Sequence, residues 1–121
     1  MKLHIDHIVI SVKDLKKSVV FYTKFLGKAT VTKDDASWKV GSTRLFLTYE
    51  YKKGAKSFDK HNFGLNHIAF GVTGLMELRK LADTLSKAKI KHSGIGHDKY
   101  SKKSFLWFDD PDKIRLEFYL R

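Results

Sequence analysis

Asp6-His7-Ile8-Val9-Ile10-Ser11-Val12 returns sixty residues later as Asn66-His67-Ile68-Ala69-Phe70-Gly71-Val72. A self-match of this kind is the signature of an internal duplication, and here it extends to Leu15 and Leu75. Each matched run alternates in the manner of a strand and leads into apolar residues three or four apart. Leu15, Val19, Tyr22 and Phe25 or Leu26 do so in the first copy, and Leu75, Leu78, Leu81 and Leu85 in the second. That spacing places them on one face of a helix. Gly27 suits a left-handed stop to the first helix, while Asp14 or Lys13 and Thr73 mark the two starts.

Three short strand-like runs follow each helix. In the first copy they are 28–33, 37–40 and 43–51, separated by Asp34-Asp35 and Gly41-Ser42. In the second they are 90–93, 104–108 and 114–120, broken by Gly94-Ile95-Gly96 and Asp110-Pro111-Asp112. The element order is therefore βαβββ twice, an α+β chain with module 1 over 1–51, a polar Lys-rich linker over 52–63 and module 2 over 64–121. Halves of about sixty residues bury too little surface to stand alone, so they are expected to pair their sheets within one domain.

Composition removes several function classes. The chain has 121 residues, 42% of them hydrophobic, with one proline and no cysteine. Disulfides, thiolate zinc sites and cysteine nucleophiles are excluded, and no apolar run approaches the roughly 20 residues that cross a bilayer. No export leader is recognisable in MKLHIDHIVIS, which reads as cytoplasmic. The net charge is +11, from 24 Lys+Arg against 13 Asp+Glu, but the lysines are scattered and no nucleic-acid-binding motif accompanies them. Such charge reads as solvated surface, with a small anionic ligand a better partner than nucleic acid.

Strand phase then selects a site. Alternation puts His7, Val9 and Ser11 on one face, His67, Ala69 and Gly71 on the equivalent face, and Arg115, Glu117 and Tyr119 opposite the core side of the last strand. A carboxylate on a concave face needs a partner. His7, His67 and Glu117 would form a two-histidine, one-carboxylate set suited to Fe, Mn, Ni, Co or Zn, with positions left open for substrate. The plainer alternative is a pair of hydrogen-bonded histidines and a structural ion pair of Glu117 with Arg44 or Arg115.

On these residues the chain resembles the vicinal oxygen chelate superfamily, which includes glyoxalase I, fosfomycin-resistance enzymes, extradiol dioxygenases and bleomycin-resistance proteins. The resemblance rests on His7 to Leu15, Ser18-Val19-Val20-Phe21-Tyr22, Leu26-Gly27, Asn66 to Phe70, and Asp110-Pro111-Asp112 ahead of Arg115-Leu116-Glu117. It implies tandem βαβββ modules whose curved sheets form a cup-shaped, partly open barrel, and a homodimer that sometimes completes its cup between two chains. It also implies a divalent metal on His7, His67 and Glu117 that captures neighbouring substrate oxygens, in lyase, isomerase, dioxygenase or thiol-transfer chemistry.

The departures from that pattern are informative. Aligning Arg44-Leu45-Phe46 with Arg115-Leu116-Glu117 puts Phe46 where glyoxalase I would use a fourth ligand. Val9 replaces a hydroxyl expected of fosfomycin-resistance enzymes, their phosphonate loop is not recognisable in 96–103, and Lys113-Ile114 follows Asp-Pro-Asp in place of glycine. Arg44, Phe46, Trp107, Arg115, Tyr119 and Lys103 are candidate substrate contacts, the cations for an anionic group. Glu50 is a candidate general base beside Glu117. The rival function is a metal-free ligand-binding protein of the bleomycin-resistance type.

Overall fold

The computed structural model describes residues 1–121, which divide into two compact units, Met1–Lys56 and Ser57–Arg121. The first contains β1 (His7–Ser11), α1 (Leu15–Leu26), β2 (Thr30–Val31), β3 (Asp35–Val40) and β4 (Thr43–Thr48). The second contains β5 (Ile68–Val72), α2 (Leu75–Lys87), β6 (Gly96–His97), β7 (Ser104–Asp109) and β8 (Arg115–Leu120). The duplicated βαβββ order is thus the observed one.

The topology repeats as well. The sheets run β1-β4-β3-β2 and β5-β8-β7-β6. In each, the first strand lies parallel to the last, and the last two strands form an antiparallel hairpin. The helix supplies the crossover that parallel neighbours require. Alternation then sends Leu45 and Leu47, and in the other unit Leu116 and Phe118, into the core, where all four are buried. Tyr22 from α1 stacks near Trp38, whose indole N–H donates to the Gly27 carbonyl at 2.8 Å. Leu78 and Leu85 from α2 are fully buried in their own unit.

Local chemistry explains the element ends. Asp14 caps α1, accepting from the Lys17 N–H at 3.1 Å, and Gly27 closes it at φ 82°. Gly74 rather than Thr73 precedes α2, with no side-chain cap. The expected strand 28–33 is only Thr30–Val31, because Thr32 Oγ1 accepts from the N–H groups of both Asp34 and Asp35 and turns the chain. Asp35 consequently opens β3 instead of ending the turn.

The expected strand 90–93 does not form. Its pairing is limited to one bridge, His92 to Phe108, and the strand forms at Gly96–His97, inside what reads in sequence as a break. Ser93 causes the shift: its N–H donates to the Trp107 carbonyl, but its side-chain hydroxyl, not its carbonyl, takes the Trp107 N–H at 2.9 Å. The ladder cannot propagate through a side chain. β4 likewise stops at Thr48, leaving Glu50 and Tyr51 beyond the sheet, and β8 begins at Arg115 because Ile114 is held by Asp110. The turn 110–112 keeps its shape through Asp110 Oδ1, which accepts from the N–H groups of Asp112 and Ile114, and through Lys113 at φ 68°.

Candidate active site

In the second unit, His67 stands at the entry to β5 and Glu117 at the middle of β8, and His67 Nε2 lies 3.6 Å from Glu117 Oε1. Glu117 accepts no hydrogen bond, and its side chain retains 14% exposure. Burial raises its pKa, opposed by the charges of His67 and Arg115 and reinforced by Asp98. The far side of the His67 ring is fixed, since Nδ1 lies 2.7 Å from Asn66 Oδ1.

The neighbours of this pair come from β7, β8 and the loop before β7. Trp107 is directly opposite Glu117 in the antiparallel register. The Arg115 guanidinium lies over the Trp107 ring at 3.9 Å, and its Nε donates to Asp109 Oδ1 at 2.7 Å. Its charge is already neutralised and its plane already stacked, so Arg115 shapes the wall more than it offers a free cation. The Tyr119 hydroxyl is hydrogen-bonded to that of Ser101, and Phe105 packs against the Tyr119 ring at 6.1 Å. Lys103 contributes its backbone to the same loop, donating from N–H to Ser101 Oγ at 3.2 Å.

The first unit builds a different surface from the equivalent positions. His7 pairs with Arg44, and Val9 with Phe46, across the parallel β1–β4 register. His7 Nδ1 lies 2.8 Å from Asp6 Oδ2, an interaction that lowers the Asp6 pKa, and the His7 ring meets Phe46 edge-on at 6.1 Å. Arg44 donates to Ser37 Oγ at 3.1 Å and has no carboxylate within ion-pair distance. A depression of about 420 Å³ opens here between His7, Lys39, Ser42, Arg44 and Phe46. Glu50 sits past the end of β4, exposed, its carbonyl accepting from Ser11 Oγ at 2.8 Å.

Of the three expected ligands, the structure brings His67 and Glu117 together. His7 lies in the other unit with Asp6, and the chain gathers no group of three His, Asp or Glu side chains that could hold an ion. Sequence reasoning overlooked Asp6 and Asn66, which orient the two rings, and Asp109, which neutralises Arg115. The first two carried a signal, an Asx residue immediately before each duplicated histidine.

Tandem βαβββ units, each with a histidine at the head of its first strand and one with a carboxylate on its last, define the glyoxalase-like class of small α+β proteins. Residues 4–118 match the Glyoxalase/Bleomycin resistance protein/Dioxygenase superfamily, and the chain belongs to it. It is similar to the metallothiol transferase FosB of Lysinibacillus sphaericus, 31% identical over 116 residues, covering 95% of this chain and 80% of that protein. A glyoxylase/bleomycin resistance protein/dioxygenase domain from Frankia sp. EAN1pec superimposes with a TM-score of 0.82 at 28% identity, covering 99% of this chain and 98% of that one. The fosfomycin resistance protein FosX of Listeria monocytogenes, at 16% identity with a TM-score of 0.76 over 100% of this chain and 95% of its own, shares the fold.

Proposed function

We propose that this protein is a divalent-metal-dependent enzyme acting on a small anionic substrate, with His67 and Glu117 as metal ligands and His7, which one chain does not gather into a three-ligand group with them, joining from the second chain of a homodimer. The observation that carries the reading is the His67–Glu117 pair. Glu117 is largely buried, accepts no hydrogen bond and faces an imidazole nitrogen at 3.6 Å, too long for a hydrogen bond between them. A carboxylate and an imidazole left unjoined at this distance suit a cation between them better than a structural ion pair. The bound metal would supply Lewis-acid polarisation of a substrate oxygen.

The chain's own residues divide the remaining work. Arg44 and Lys39, both without a carboxylate partner in the first unit, attract and orient the anionic group of the substrate. Trp107, with Arg115 stacked on it, supplies an apolar wall beside Glu117 that restricts water. The Tyr119–Ser101 hydroxyl pair offers a donor and an acceptor to substrate oxygens. The similarity to a metallothiol transferase makes thiol addition the first reaction class to assay. Phe46, with no ligating or proton-transferring atom, makes the four-ligand arrangement of glyoxalase I a poor fit. The protein is also proposed to work as a homodimer.

The test is metal analysis of untagged protein purified without a chelating column, followed by titration with Mn(II), Fe(II), Ni(II) or Zn(II). A stoichiometric ion, lost on His67→Ala and on Glu117→Gln, is expected. Wild-type protein that binds none of these ions overturns the enzyme reading in favour of a metal-free binding protein.

A further inference from the structure

We infer that Asp6 and Asn66 are positioning residues that hold His7 and His67 as Nδ1–H tautomers, leaving each Nε2 lone pair free for a cation. A neutral imidazole has one N–H and one lone pair, and its partners decide which nitrogen has which. Asp6 offers His7 a carboxylate oxygen at 2.8 Å, which only accepts, so His7 Nδ1 carries the hydrogen. Asn66 reaches the same result by two steps. Its Nδ2 donates to the Lys60 carbonyl at 3.1 Å, and a carbonyl oxygen only accepts, so the amide cannot turn over. Oδ1 is therefore the atom facing His67 at 2.7 Å, and His67 Nδ1 is the donor.

The relay Lys60 carbonyl, Asn66 amide, His67 ring thus points an unprotonated Nε2 toward Glu117. Both copies of the duplication keep the device but with different charge. His7 has a carboxylate behind it, which makes its ring the stronger electron donor, while His67 has a neutral amide and already faces the Glu117 carboxylate. The inference rests on the metal reading for its purpose and stands on hydrogen-bond geometry for the tautomers, so the two fail separately.

The decisive measurement is long-range ¹H–¹⁵N correlation spectroscopy on the metal-free full chain at about pH 8, above the ordinary histidine range. His7 and His67 are expected with ¹⁵N shifts of Nδ1–H rings, and Asp6→Ala and Asn66→Ala should each move their own histidine to the averaged tautomers of a free imidazole. Asn66→Asp, which keeps an acceptor for Nδ1, should retain the His67 tautomer. Mn(II) or Co(II) titration of the same proteins should show affinity falling roughly 10- to 100-fold in each Ala variant and recovering most of that loss in Asn66→Asp. Wild-type rings protonated at Nε2, or averaged, overturn the inference, and this reading needs no variant to fold. Ala variants that bind metal as tightly as wild type overturn the positioning role while leaving the metal site intact. Wild-type protein with the stated tautomers and no metal affinity overturns the metal reading, and with it the role given to the free Nε2.

Discussion

Replacing Glu117 by Gln should stabilise the metal-free protein and abolish its response to metal, a pairing of effects that a structural carboxylate would not produce. The Glu117 side chain is only 14% exposed and accepts no hydrogen bond. An ionised carboxylate buried without a hydrogen bond costs more than the neutral amide that replaces it, by about 1–3 kcal/mol, and the residual exposure and the attraction of Arg115 bring this toward about 1 kcal/mol. For a chain of this size that corresponds to a rise of roughly 3–5 °C in Tm. The sign follows from linkage. Burial raises the Glu117 pKa above its ordinary 4.5, so the native state holds the proton more tightly than the unfolded chain. Below the unfolded value both states are protonated and wild type and Glu117→Gln should coincide. The gap should open as pH rises through the raised pKa and be complete at neutral pH. Adding Mn(II) at about 100 times its Kd should stabilise wild type by about 2.7 kcal/mol and the variant by almost nothing. Differential scanning fluorimetry across pH, with and without metal, reads all of this. A variant less stable than wild type without metal at neutral pH would refute the reasoning, because it would make the contact with His67 a stabilising ion pair.

Four further substitutions separate binding residues from structural ones. Arg44→Ala should weaken the affinity for small anions such as inorganic phosphate with little change in Tm, whereas Arg115→Ala should lose about 1–2 kcal/mol of stability through its Trp107 stack and Asp109 bond, read by urea denaturation. Asp110→Ala should cost about 2 kcal/mol by the same assay, since the 5%-exposed Asp110 accepts the N–H groups of Asp112 and Ile114. Lys113→Gly should stabilise by about 0.5–1 kcal/mol, because Lys113 holds φ 68° at a cost that glycine avoids, partly offset by a freer unfolded chain.

The backbone was legible because duplication supplies two readings of one pattern. Each histidine strand, helix and closing hairpin is supported by its counterpart, and the faces of Arg44-Leu45-Phe46 and Arg115-Leu116-Glu117 follow from alternation alone. The second strand of each module was not legible. β2 and β6 are two residues long, and their positions are set by single hydroxyls, Thr32 Oγ1 and Ser93 Oγ, which take backbone N–H groups that a periodicity argument assigns to a ladder. In the site, Glu117 and His67 were selected by phase, but the neutralisation of Arg115 was hidden. It depends on Asp109 standing opposite Arg115 across the hairpin, a register that residue spacing within one strand cannot give.

That hairpin register also shows how one ancestral module has been turned to two purposes. Arg44 and Arg115 are equivalent, and across their hairpins they face Lys39 and Asp109 respectively. The first unit therefore sets two cations side by side, while the second closes its arginine into an ion pair. One position further along the face, the first unit has Ser37 opposite Phe46 and the second has Trp107 opposite Glu117. The aromatic and the polar residue have exchanged strands. The exchange puts an apolar ring beside His7 and a carboxylate beside His67, so the copies differ in sign where they agree in geometry. Restoring the symmetry is then informative in both directions. Lys39→Asp should pair with Arg44 and remove its affinity for phosphate while leaving metal binding intact or tighter, since it adds negative charge in the depression that also holds His7. Asp109→Lys should free Arg115 and, by adding positive charge near Glu117, weaken the binding of a divalent cation. Equilibrium titrations of each variant with phosphate and with Mn(II) read the four affinities. Loss of metal binding in Lys39→Asp together with retention of phosphate affinity would contradict this division of charge between the two units.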